Sequence, residues 1–194
     1  MIQSWRSLWN REFPFYFVQI APFTYDAPQN AALLREQQLK TYRHLSKTGM
    51  VVTTDITGDT TDIHPKDKQD VGERLARWAL AKTYDKDNVV FSGPIFRSMK
   101  VEGSKAILRF DFVENGLMKK GNKLRNFIIA GEDHNFVSAD ARIRDNSVVV
   151  SSPVVEHPTA VRMGFSNTAI PNLFNNAGLP ASPFRTDDWP VAGK

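Results

Sequence analysis

The sequence predicts an α/β layer structure over residues 1–86, followed by an antiparallel β-sandwich or jelly-roll-like region over residues 87–194. Three observations carry this prediction. Up to residue 84 the chain alternates helix, strand, helix, strand, helix, the order that builds a parallel sheet with helical cover. Its first strand candidate is a continuous apolar run, as expected where both faces are buried. After Asp85-Lys86-Asp87-Asn88 the period shortens, and brief strand patterns recur between Gly, Asn, Asp and Pro residues.

Ile2, Trp5, Leu8 and Trp9 fall at offsets of three and four, one face of a helix. Two tryptophans this near a chain start are unusual, since termini tend to be polar and frayed. They read as the last turns of a helix that begins earlier. The run from Phe13 to Pro22 is the first strand candidate. Asp26-Ala27-Pro28-Gln29 then offers an N-cap with proline in the first turn. That helix passes through Leu34, Gln38, Thr41 and Leu45, with Gly49 at a C-cap position. Met50 to Thr54 is the second strand candidate.

Pro65 is placed to begin the next helix, whose buried stripe is Val71, Leu75, Trp78 and Ala79. Two strands do not make a self-sufficient parallel sheet, so the rest of it is expected from the N-terminal side. In the second region, Met99 to Glu102 and Ala106 to Phe110 flank Gly103-Ser104 as a hairpin. Phe127–Ala130, Ala141–Arg144, Val148–Ser151 and Ala160–Phe165 are further strand candidates. Residues 167–194 read as an irregular surface tail pinned by Phe174, Phe184 and Trp189.

The bulk composition narrows the functional classes. Lys and Arg total 25 against 21 Asp and Glu, and the basic residues are dispersed rather than gathered on one face. No nucleic-acid partner is therefore expected. The densest basic stretch, Lys119 to Arg125, reads as a solvated hairpin tip. The absence of cysteine excludes disulfides and thiolate metal sites. No apolar run reaches the length of a membrane span, and no signal-peptide core is present.

The stretch VVTTDITGDTTDIHP, residues 51–65, concentrates the chemistry. An apolar strand ends at Asp55, and a Gly/Thr/Asp-rich loop follows it to His64. Loops beyond the carboxyl ends of parallel strands are where such folds hold their reactive groups. A catalytic histidine needs one nitrogen facing a nucleophile and the other held by an acceptor. Asp55, Asp59 and Asp62 are all near enough to serve. Asp62 reads equally as the N-cap of the following helix, and Asp59 as a turn residue. His44, His134 and His157 are weak candidates, and no histidine pair has a metal-ligand spacing.

Asp62-Ile63-His64-Pro65, with Lys66, Lys68-Gln69 and Gly72-Glu73-Arg74-Leu75 behind it, resembles the last catalytic block of the sialate O-acetylesterase family of SGNH-type carbohydrate esterases. The stretches Phe13-Pro14-Phe15, Val18 to Phe23, Phe91 to Pro94, Ser98 to Val101 and Gly178 to Trp189 resemble other parts of that family in order. The resemblance implies that residues 1–86 are the C-terminal part of a three-layer SGNH domain and residues 87–194 a β-rich accessory domain. It implies an ester hydrolase that removes O-acetyl groups from sialic acid or a related glycan, with no cofactor, in the periplasm or outside the cell. His64 matches the base. The common spacing of the acid, three residues before the histidine, falls on Thr61, so Asp62 and Asp59 are both carried as its orienter.

The family's serine blocks are absent: no Gly-Asp-Ser, no Gly-x-Ser-x-Gly and no Gly-Glu-Ser-Asn occurs. The chain alone is expected to be inactive, with a separate N-terminal half bearing the serine as its partner. The competing expectations are a non-catalytic carbohydrate-binding β-module and a truncated pseudo-enzyme.

Overall fold

The structure, a computed structural model, describes residues 1–27 and 29–191. Three helices and two short parallel strands come first: α1 (Ile2–Leu8), β1 (Phe15–Val18), α2 (Asn30–His44), β2 (Thr48–Val51) and α3 (Lys68–Lys82). β1 and β2 pair in parallel from Phe15↔Thr48 to Val18↔Val51. Tyr16 and Gly49 share one face of this pair, and Trp78 of α3 packs there. Phe17 and Met50 share the other face and cluster with Leu39 and Tyr42 of α2.

Several boundaries differ from the sequence expectation. α1 forms, but only Ile2 of its predicted apolar face is buried; Trp5, Leu8 and Trp9 stay exposed. α2 is capped by Gln29 without a side-chain bond, so Asp26 is not its N-cap; Pro28 lies outside the described residues. α2 ends at an extended Leu45, and Lys47 takes the positive φ that glycine was expected to supply. Gly49 instead belongs to β2, where a Cβ would stand 2.5 Å from the Trp78 ring and 2.7 Å from Tyr16. α3 starts at Lys68 rather than Pro65, because Asp67 caps it by accepting the Asp70 N–H at 2.9 Å.

The rest of the chain is antiparallel. The predicted hairpin is β3 (Ile95–Glu102) with β4 (Lys105–Asp111), and β8 (Asp140–Arg144) and β9 (Ser147–Ser151) complete a sheet of order β3-β4-β9-β8. A second sheet has the order β12-β10-β6-β7, from β6 (Phe127–Ala130), β7 (Val137–Ser138), β10 (Ala160–Met163) and β12 (Phe184–Arg185). One core joins them: Leu108 and Val150 from the first sheet, Ile129 and Met163 from the second.

β5 (Leu117–Lys119) pairs with β11 (Leu173–Asn175), not with β6, so Lys119 to Arg125 is no hairpin tip. The Asn172 side chain holds that loop, donating to the Lys123 carbonyl at 2.9 Å and accepting the Arg125 N–H at 2.8 Å. Nor is the tail a surface wrap. Phe174 and Phe184 are both buried, and Asn175, fully buried, donates to the carbonyls of Ser92 and Phe112. Strands of two or three residues are too short to show alternation.

The outer edge of β1 is open. Phe15 and Gln19 donate their N–H groups to Lys47 and Val51, so the backbone groups of Tyr16 and Val18 point away from β2. The Gln38 amide takes two positions on this edge, donating to the Val18 carbonyl at 3.1 Å and accepting the Ile20 N–H at 2.9 Å. The Tyr16 N–H and C=O and the Val18 N–H have no strand partner among the described residues. A cavity of about 440 Å³ runs beside the carboxyl end of this edge, between Leu34 of α2 and Val71 of α3, and extends to Ile63 and Pro65.

Candidate active site

β2 delivers the chain into the His64 loop through buried Val52, Thr53 and Thr54. Thr53 donates its hydroxyl to the Gln19 carbonyl at 3.0 Å, which ties the exits of β2 and β1 together. Asp55 follows and is captured by α3. Arg74 meets it with two bonds, at 2.7 and 2.8 Å, and also donates to the Val52 carbonyl at 2.7 Å. Both side chains are 8% exposed. This fork-to-fork pair is the geometry that best compensates a buried carboxylate. It also removes Asp55 from any role beside His64.

The other two aspartates separate just as clearly. Asp59 accepts the backbone N–H of Thr61 at 2.8 Å and its hydroxyl at 2.7 Å. Those two bonds hold the Asp59 carboxyl below its ordinary value of 3.8. Thr61, at the common family spacing for the acid, is thus a donor to Asp59. Asp62 accepts the His64 N–H at 2.9 Å, and the same oxygen stands 3.4 Å from His64 Nδ1. Asp62 caps no helix, because Asp67 holds that place. Of the three carboxylates, only Asp62 is hydrogen-bonded to His64 and close to its ring.

The His64 side chain is 82% exposed, which leaves Nε2 open to an approaching group. It lines a cavity of about 420 Å³ with Thr57, Gly58, Asp59, Asp62 and Lys66. No serine is among the lining residues. The Thr57 hydroxyl is committed to the Thr53 carbonyl at 3.3 Å. The arrangement sets an exposed imidazole beside a carboxylate acceptor. Among the described residues no three His, Asp or Glu side chains converge as metal ligands would. No described helix is long and apolar enough to cross a membrane. In the sequence Arg74 stands only within the block that resembles the family, and its hold on Asp55, 19 residues earlier, has no local signal.

No family model matches the chain. A crystal structure of a carbohydrate acetylesterase from Xanthomonas citri superposes on 97% of this chain with a TM-score of 0.89 and 42% sequence identity. The chain is similar to carbohydrate acetylesterases. Two curated sialate O-acetylesterases extend the likeness: the human protein is 28% identical over 132 residues and the mouse protein 28% over 134. These matches cover 63% and 58% of this chain. The chain spans 45% of the Xanthomonas acetylesterase and about a quarter of each mammalian esterase, 25% and 24%. The carbohydrate-esterase resemblance of the sequence therefore holds over nearly the whole chain.

Proposed function

We propose that the chain is the histidine-bearing part of a carbohydrate O-acetylesterase of the SGNH type, acting outside the cytoplasm on O-acetylated sialic acid or a related acetylated sugar. One observation carries this reading: a carbohydrate acetylesterase matches 97% of the chain at 42% identity and a TM-score of 0.89. His64 is the general base and Asp62 its orienter. The 3.4 Å approach of Asp62 to Nδ1 supports that assignment, since catalytic bonds are often loose before substrate arrives. Asp59 stays outside the pair because Thr61 engages its carboxyl.

The serine comes from a separate N-terminal segment that adds a strand to the open edge of β1. A parallel strand there would end on the same side as the His64 loop, which brings its following residues toward Nε2. In the complete site the serine oxygen attacks the acetyl carbonyl while His64 Nε2 takes the hydroxyl proton. Asp62 stabilises the imidazolium, and the proton passes to the sugar oxygen as the carbonyl–oxygen bond breaks. Water, deprotonated in the same way, then releases acetate from the acetyl-serine.

The test is complementation. The chain alone should leave an aryl acetate intact, whereas the chain co-folded with a serine-bearing N-terminal segment should hydrolyse it. His64→Ala in the complemented protein should lower kcat by roughly 10⁴-fold or more. Turnover by the isolated chain that vanishes in His64→Ala, or an inert complemented protein, would overturn the reading.

A further inference from the structure

His64 lies beyond the carboxyl ends of β1 and β2. At their amino ends Pro14, Tyr16 and Thr48 line a different cavity, of about 440 Å³. Its wall is a continuous run of rings. Trp78 is backing, only 2% exposed, with ring centroids 6.2 Å from Tyr16, 5.7 Å from Tyr42 and 4.6 Å from Phe91. Phe112 extends the run 5.4 Å beyond Phe91. Tyr16, Tyr42, Phe91 and Phe112 are half-buried and line the cavity. The first two belong to the α/β region and the last two to the chain after it, so the cavity sits in the seam between them. Seams of this kind are preferred ligand sites.

The polar groups at the rim are unevenly matched. Lys47 is neutralised by Glu12 at 3.2 Å. Lys82 stands 4.5 Å above the Phe91 ring and forms no ion pair among the described residues. Tyr42 lines the same space, and its hydroxyl has no hydrogen-bond partner among the described residues. Burial, and then the nearby Asp111, push its pKa above 10.0, so it remains a neutral donor. Tyr16 and Thr83 add a hydroxyl pair at 2.6 Å. An aromatic wall, hydroxyl donors and one unmatched ammonium complement a ligand with a flat, weakly polar face and a single carboxylate.

We propose that this cavity is a second, non-catalytic binding site for a carboxylated pyranose, its ring against the aromatic wall and its carboxylate on Lys82. The proposal does not depend on His64 acting as a base. The full chain is titrated with N-acetylneuraminic acid, D-galacturonic acid and neutral D-galactose, following amide chemical shifts. At least one acid should bind saturably, weaken as salt rises, and shift Lys82 and Thr83 rather than His64. Galactose should bind about tenfold more weakly or worse, and Lys82→Ala should cost the acid a similar factor. Tyr42→Phe, which keeps the ring and removes only the hydroxyl, should weaken binding several-fold in a folded protein. The two acids distinguish a sialic from a uronic ligand. No saturable acid binding, equal galactose binding, affinity that survives Lys82→Ala, or shifts centred on His64 would each overturn the proposal.

Discussion

Arg74 takes one of the three loop carboxylates, Asp55, away from His64. By holding Asp55 in a buried two-bond pair, it leaves the loop one aspartate against the imidazole and one folded onto Thr61. Arg74→Ala would strand Asp55 without its counter-charge and free the Val52 carbonyl of its donor. The expected loss is about 3–5 kcal/mol of unfolding free energy, seen as a lower denaturant midpoint at constant m-value. A loss below about 1 kcal/mol would show that the pair is structurally idle. His64 and the three aspartates were legible in the sequence as candidates. The removal of Asp55 was not, because it is claimed by a guanidinium 19 residues later in another element.

At the scale of elements, the approach of α3 to the β1–β2 pair depends on a missing side chain. Trp78 fills the space above Gly49 and donates its indole N–H to the Met50 carbonyl at 3.1 Å. Gly49→Ala should destabilise the protein by about 1–3 kcal/mol, since the new methyl meets two ring systems inside normal contact distance. Thermal unfolding of the variant measures this, and an unchanged Tm would mean that α3 shifts without cost. The glycine was misread as a helix terminator because its sequence position fits both roles. Only the neighbour across the sheet separates them. The same limit applies to β11 and β12, which tertiary pairing makes into strands and local alternation does not.

Across the whole molecule, the α/β region and the β region are joined by buried polar contacts. Gln19 donates to the Ser182 hydroxyl at 3.1 Å, and Arg35 donates to the Asn167 carbonyl at 3.1 Å. Arg185 grips Glu36 with two bonds, at 2.8 and 3.0 Å. Burial pushes the Glu36 carboxyl upward, but the hydrogen bond and charge of Arg185, helped by Lys40, outweigh it and hold the pKa below 4.5. A carboxylate depressed in the folded state adds stability above its unfolded pKa and loses it as pH falls through the folded one. The wild-type Tm should therefore exceed that of Glu36→Gln near neutrality, and the gap should close on acidification below 4.5. Parallel Tm profiles from pH 7 to 3 would count against this coupling.

By itself the sequence determined the change from helix-and-strand alternation to short antiparallel strands, the hairpin around Gly103, and the loop that carries His64. Each of these is written in local periodicity or turn chemistry, which the backbone obeys wherever it lies. The likeness to carbohydrate esterases was legible for the same reason: its motifs are contiguous. Tertiary structure alone decided that Asp62 stands beside His64, that Gly49 makes room for Trp78, that the tail enters the core, and that one edge of β1 stays open. Asp62 reaches His64 across only two residues, but the removal of Asp55 and the other outcomes depend on groups far apart in the chain competing for the same hydrogen bonds and the same space, and no window of neighbouring residues contains that competition.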